Sequence, residues 1–391
     1  MASLPDPVHH LLSDEQAILV PRPAARKGRG AVTNLQGRYE LNGRERFDDG
    51  WEIDLDGEAP ALKTVVTDEM AKSILSRNTS PDIPFSVSLN PYRGCEHGCI
   101  YCFARPTHSY LGLSPGLDFE SRLFAKVNAP ELLRRELAKP GYVPEHIAIG
   151  VNTDAYQPCE RERGITRQVL EVLSECRHPC GLITKSSLIE RDIDLLAPMA
   201  EQHLACAAVT ITTLDAQISR TLEPRAAAPM RRLRTIRALT DAGIPVSVSV
   251  APIIPFVTEP EIERILEAAR DAGAVGAHYT VLRLPHEVNP LFQEWLQAHF
   301  PDRAARVMNR IREMRGGKDY DADFAHRMHG EGVWADLIRQ RFEKAKERLG
   351  LSELRGRFGR LDRTQFRRPL VVPPSAARAK AAQQAGQLDL F

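Results

Sequence analysis

Three cysteines, Cys95, Cys99 and Cys102, stand in the stretch from Asn90 to Arg105, Asn-Pro-Tyr-Arg-Gly-Cys-Glu-His-Gly-Cys-Ile-Tyr-Cys-Phe-Ala-Arg. Thiolates select soft metals and iron–sulfur clusters. The Cys-x3-Cys-x2-Cys spacing puts three of them on one short loop, enough for three corners of a cubane, and leaves the fourth iron without a protein ligand. An open metal position binds a substrate or cofactor, whereas a structural site is closed. Gly94 and Gly98 suit a chain that wraps a cluster, because glycine supplies positive φ and close backbone approach. The competing reading is a zinc knuckle completed by His97, His108 or Cys159. Zinc motifs come as two paired ligand sets, and no second Cys-x2-Cys or His-x3-His occurs at a matching distance. The loop therefore reads as catalytic.

This loop, with Tyr101 directly before the third thiol, resembles the signature of the radical S-adenosylmethionine (SAM) superfamily. The resemblance implies a 4Fe-4S cluster on Cys95, Cys99 and Cys102 whose open iron chelates SAM. It implies reductive cleavage of SAM to methionine and a 5′-deoxyadenosyl radical, with the cofactor carrying the hard chemistry. Asn90-Pro-Tyr-Arg-Gly, Asn152-Thr-Asp-Ala-Tyr-Gln-Pro158 and Ile183-Thr-Lys-Ser186 look like one branch of that superfamily, the spore photoproduct lyase-like or DNA repair photolyase branch. By that analogy Tyr101, Thr153, Asp154 and Lys185 help to hold SAM, Lys185 through its carboxylate, with Thr212 in the same pocket. Arg225 is a further carboxylate partner or a surface turn, and Ala251-Pro-Ile-Ile-Pro255 an adenine contact or a rigid strand exit. The spore lyase takes its hydrogen-atom donor from a cysteine just ahead of the Ser/Thr-Asp turn. Here Val151 and Asn152 occupy that neighbourhood, which argues against identical thymine-dimer chemistry and leaves Cys159 as the candidate catalytic thiol.

The elements that must position these residues alternate. Strand patterns cover residues 85–89, 146–150, 180–184, 205–212, 245–251 and 277–282, and helical patterns lie between them at 129–138, 165–176, 188–202, 231–242 and 259–272. Alternation of this kind makes a parallel sheet with right-handed crossovers. Six such units predict an α/β fold, the partial (β/α)6 TIM-like barrel of the radical SAM type, with chemistry at the C-terminal strand ends. Residues 1–50 read as a flexible arm, 51–285 as the barrel with its cluster loop at 90–105, 286–350 as a helical extension, and 351–391 as a basic tail.

The chain ends Gln387-Leu-Asp-Leu-Phe391, which resembles the peptide by which bacterial replication and repair proteins bind the DNA polymerase sliding clamp. Residues 339–380 carry thirteen Lys/Arg against four Asp/Glu, with Phe358 and Phe366 interleaved, a pattern suited to a phosphate backbone and base stacking.

With 391 residues, 43% hydrophobic content and a net charge of +1, the chain supports a sizeable core and is not wholly disordered. It has no membrane-length apolar run or signal-peptide pattern. Its odd count of seven cysteines, three on one loop, argues for a reducing cytoplasm over a disulfide framework. The leading expectation is a cytoplasmic radical SAM enzyme acting on DNA in a repair-type lyase reaction. It would be served by an electron donor such as flavodoxin or ferredoxin and recruited through the clamp. The alternatives are a radical SAM enzyme acting on RNA, protein or a small molecule, and a non-catalytic metal-stabilised adaptor.

Overall fold

A computed structural model describes residues 26–40, 62–352 and 361–370 of the chain. The clamp-like peptide, Phe358 and most of the basic tail lie outside the described residues, as do residues 1–25 and 41–61.

Among the described residues ten strands run β1 (Val65–Glu69), β2 (Leu75–Arg77), β3 (Val87–Leu89), β4 (Tyr92–Arg93), β5 (Arg122–Lys126), β6 (Ile147–Ile149), β7 (Cys180–Thr184), β8 (Ala205–Thr210), β9 (Val246–Ile253) and β10 (Gly276–Val281). Six of them, β3-β6-β7-β8-β9-β10, are parallel neighbours in chain order, and β2 adds antiparallel to β3 at one edge. The expected α/β partial barrel is thus the observed one, and its six strands are those anticipated from the pattern. The sequence reading did not anticipate β2, nor the small sheet β1-β5-β4 that flanks the cluster loop.

Side-chain alternation explains why this sheet curls around an open interior. Ile147, Ile149, Cys180, Leu182, Val246, Val248 and Val250 point outward into one core shared with the helices. The helix Ile165–Glu175 buries Ile165, Val169, Leu170, Val172 and Leu173 there, the stripe expected of period 3.6. The residues between them on the strands are small. Ser88 pairs with Ala148, Ala148 with Gly181, Gly181 with Cys206, and Ala208 with Ser247. Closed barrels fill this space with bulky branched side chains; here small residues line it.

The open side between β2 and β10 is bridged. The Met328 carbonyl accepts the N–H of Val281 at 2.8 Å, extending the β10 edge. Arg327 then reaches Asp82, beyond β2, with two bonds of 2.5 and 2.7 Å. A second core holds the extension, where Leu291, Phe292, Trp295 and Leu296 of the helix Val288–His299 pack with Val307 and Ile311. No helix is long and apolar enough to cross a membrane among the described residues.

Two segments differ from their composition. Residues 26–40, Gly- and Arg-rich, are not a free arm: Arg29 is buried and bonds the carbonyls of Glu120 and Leu62, and Ala31 is fully buried. Phe366 is not available for stacking on bases. It packs against Tyr142 and His178 at ring distances of 5.6 and 5.4 Å, because an apolar ring gains more from a core than from solvent.

Candidate active site

The cluster loop leaves β3 through Asn90, whose Oδ1 accepts the N–H groups of Asn152 and Thr153 at 2.9 and 3.5 Å and so ties it to the end of β6. Successive turns follow. The Gly98 N–H donates to the Cys95 carbonyl and the Cys102 N–H to the Cys99 carbonyl, both at 3.2 Å. Gly94 has φ +73°, and a Cβ there would lie 2.8 Å from the Phe119 carbonyl and from the His108 ring. That position requires glycine.

Beneath the loop the fully buried Arg105 donates to the carbonyls of Gly98, Cys99, Pro115 and Gly116 and to the Glu120 carboxylate at 2.5 Å. Glu120 also accepts the N–H groups of Gly30 and Ala31 at 2.9 and 2.8 Å. A Cβ on Gly30 would be 1.9 Å from the Gly98 carbonyl oxygen. The segment read as an arm is therefore a strap clamped onto the cluster loop.

Cys95 and Cys99 are buried and Cys102 half-buried. Burial pushes the Cys95 thiol far up, with Asp154, Cys99 and Cys102 adding to it, and pushes the Cys99 thiol up to about 12. Two thiols that burial keeps protonated are donors that need a cation to ionise, which fits a cluster. Among the described residues no three His, Cys, Asp or Glu side chains converge as ligands of one ion. A cubane does not ask for that, since each corner iron takes one thiolate. Neither histidine of the zinc reading is turned to this loop's thiols as a ligand. His97 Nδ1 lies 3.3 Å from Asp154 Oδ2, and His108 Nε2 lies 2.9 Å from the Arg122 carbonyl.

Three more strand ends converge here. Asp154, after β6, accepts from Tyr156 N–H (2.9 Å), Thr184 Oγ1 (2.7 Å) and Lys185 N–H (2.7 Å), in addition to the His97 contact. Burial alone would raise its pKa, but His97 and these donors outweigh burial and hold it down to about 2. The carboxylate is saturated, and it locks β6, β7 and the cluster loop together. Thr153 likewise spends its hydroxyl on the Tyr92 carbonyl at 3.1 Å.

Lys185 differs. Its ammonium lies 5.8 Å from the Tyr101 ring centroid and has no hydrogen-bond or ion-pair partner among the described residues. Burial opposes its charge, yet Cys99 and Glu223 hold its pKa above the ordinary value.

Tyr101 and Thr212 meet on Glu223. The Tyr101 hydroxyl donates to that carboxylate, and Thr212 Oγ1 donates to it at 2.6 Å. Arg232, 1% exposed, pairs with the other oxygen. Burial would raise the Glu223 pKa, but Arg232 and Lys185 reverse this and lower it. The sequence reading passed over Glu223 and Arg232. Glu223 stood in the same Leu222-Glu-Pro-Arg225 stretch from which Arg225 was singled out, and Arg225 itself pairs with Glu96 at 2.7 Å.

Cys159 lies apart, capping the short helix Glu160–Arg163 and packed on the main core. Burial pushes its thiol up to about 12, so it keeps its hydrogen at neutral pH. In the Ala251–Pro255 stretch, Ile253 and Ile254 are both buried, one in each core.

A family model of the radical SAM superfamily matches residues 89–269. An uncharacterized protein of Mycobacterium tuberculosis is 35% identical over 248 residues, 63% of this chain and 72% of the relative. An uncharacterized protein of Methanocaldococcus jannaschii is 26% identical over 173 residues, 44% of this chain and 62% of that one. Among solved structures, spore photoproduct lyase complexed with dinucleoside spore photoproduct aligns with a TM-score of 0.48 at 13% identity, covering 73% of this chain and 79% of that one.

Proposed function

The chain belongs to the radical SAM superfamily, and from that premise we propose an enzyme that binds a 4Fe-4S cluster through Cys95, Cys99 and Cys102 and acts on DNA in a repair-type reaction. A cluster held by these three cysteines would supply the one-electron reduction that cleaves SAM.

The observation that carries the cofactor assignment is the unpartnered Lys185 ammonium beside Tyr101 and the buried thiols. A compact cation with no ion-pair partner among the described residues, at a strand end, suits the carboxylate of SAM. Glu223, held ionised by Arg232, keeps the Tyr101 hydroxyl and Thr212 in place below it. Asp154 acts as a positioning residue, fixing Lys185 through its backbone N–H rather than touching SAM. Thr153 does the same for the loop at Tyr92. Cys159, a protonated thiol at the end of the segment that leaves β6, is the proposed hydrogen-atom donor, although its packing on the main core sets it apart from Lys185 and Tyr101. The DNA assignment is supported by the branch-specific motifs at Asn90, Thr153 and Lys185 and by the basic residues of the tail. Recruitment to the clamp through Gln387, Leu388, Asp389, Leu390 and Phe391 is part of the same proposal.

The test is anaerobic purification, iron and sulfide analysis, and incubation with dithionite, SAM and ultraviolet-irradiated DNA. About four irons per chain, deoxyadenosine formation abolished in Cys95→Ala, and loss of a photolesion are expected. Zinc in place of iron, with no deoxyadenosine after cluster reconstitution, would refute the cofactor assignment. Deoxyadenosine formation indifferent to every damaged DNA offered would refute the substrate.

A further inference from the structure

Two arginines at the rim of the barrel form no ion pair with a carboxylate among the described residues. Arg283 follows β10, at the strand end where the cluster loop sits. Its five N–H donors are poorly used: NH1 faces the Met328 sulfur at 3.6 Å, NH2 the Tyr320 hydroxyl at 3.5 Å, and Nε is buried without a partner. Sulfur is a weak acceptor, and 3.5 Å is at the limit of a hydrogen bond.

Behind it Arg315 is 1% exposed. It donates to the carbonyls of His326 (2.7 Å) and Leu282 (2.8 Å), and its Nε is also buried and unpartnered. Neither guanidinium has a carboxylate partner among the described residues. Of the acids nearby, Asp82 is taken by Arg327 and Asp319 by Arg312, while Asp321 favours the Arg315 charge without forming an ion pair with it. Burial, followed by Arg283, lowers the Arg315 pKa to about 10, which leaves it cationic at neutral pH. Buried charges in proteins are paired or hold ligands. An unbalanced pair of this kind is a site waiting for an anion.

The surroundings narrow the anion. The Arg283 guanidinium lies over the Phe103 ring, 5.4 Å from its centroid, and Phe103, next after Cys102, is 45% exposed. An arginine fork takes a phosphate with two parallel bonds, and an exposed aromatic ring stacks a base. One fork beside one free ring is the recognition set of a nucleotide unit.

We propose that Arg283, backed by Arg315 and flanked by Phe103, is a phosphate-binding site that seats one nucleotide of a nucleic-acid strand at the mouth of the barrel beside the cluster loop. The anion site rests on the two guanidiniums; the choice of a strand as its source rests on the DNA reading above. In either case the site lies at the β10 end of the sheet, whereas Lys185 follows β7.

The experiment is fluorescence anisotropy with a labelled single-stranded oligonucleotide over a salt series, on the full chain. Arg283→Gln should weaken binding roughly tenfold and reduce the slope of log affinity against log salt by about 0.7, one single-strand phosphate contact. Phe103→Ala should weaken binding about fivefold or more with the slope unchanged. Arg134→Gln, which removes the same charge from a helix where Arg134 pairs with Glu175, should do neither. The melting temperature of Arg283→Gln should hold or rise, since an unbalanced cation next to Arg315 is removed; a fall would assign Arg283 a packing role instead and overturn the site. Arg283→Gln matching Arg134→Gln in affinity and slope would also overturn it. Should the wild type ignore oligonucleotides but bind inorganic pyrophosphate in an Arg283-dependent way, the anion site stands and the DNA reading falls. Binding of neither probe overturns the site itself.

Discussion

Replacing Gly30 by alanine should detach the strap from the cluster loop, whereas the same change at Gly28 should cost little. A Cβ at position 30 would sit 1.9 Å from the Gly98 carbonyl oxygen, a backbone atom with no freedom to swing aside. At Gly28, with φ +74°, a Cβ meets nothing within 4 Å. Its cost is the left-handed conformation alone, about 1 kcal/mol. Lifting Gly30 away breaks the bonds from Gly30 and Ala31 to Glu120. Hydrogen bonds to a charged group contribute about 1.5–3 kcal/mol each, so the loss is about 3–5 kcal/mol once Glu120 keeps Arg105. At about 1–2 °C per kcal/mol for a chain of this length, Gly30→Ala should melt roughly 3–10 °C below the wild type and Gly28→Ala about 1–2 °C below it. Scanning calorimetry measures both, and trypsin cleavage at Arg26 and Lys27, faster only in Gly30→Ala, is a second readout. If the two variants melt together and are cut at the same rate, the strap is a free arm and the reasoning fails.

Two other perturbations follow from single contacts. Lys185→Gln removes an ammonium with no hydrogen-bond or ion-pair partner among the described residues, while Arg232 still pairs with Glu223, so stability should change little while SAM affinity of the cluster-loaded protein drops at least about tenfold by titration calorimetry; affinity within about twofold would sink the assignment. His178 is buried, with its Nε2 2.7 Å from the Tyr142 hydroxyl and its Nδ1 3.0 Å from the Pro179 carbonyl, and burial lowers its pKa to about 4. The unfolded chain takes up this proton near pH 6.5 and the folded one only near 4, so stability is lost as pH falls through that window. The loss is about 2 kcal/mol between pH 7 and 4.5. Urea unfolding of His178→Gln should show a pH dependence shallower by that amount, and an unchanged dependence would mean that the histidine charges inside the folded protein.

What could be read in the sequence was local chemistry and period. The Cys-x3-Cys-x2-Cys loop, its glycines and the tyrosine before Cys102 pointed to the radical SAM superfamily, which the family model matches, because a ligand set on one loop is a property of spacing. The six parallel strands were legible because each alternates with a helix of period 3.6, and β7 was placed residue for residue. What the tertiary structure decided were contacts between residues far apart in the chain. Gly30 meets Gly98, and Glu120 serves Arg105, Gly30 and Ala31 together, so a Gly- and Arg-rich stretch that reads as linker becomes part of the site. Lys185 and Asp154 were both picked by motif, yet only their packing separates a free ammonium from a carboxylate already saturated by four neighbours. Glu223, Arg232, Arg283 and Arg315 left no periodic trace, since a charge becomes informative only when burial removes its solvent and the fold either supplies a counter-ion or does not.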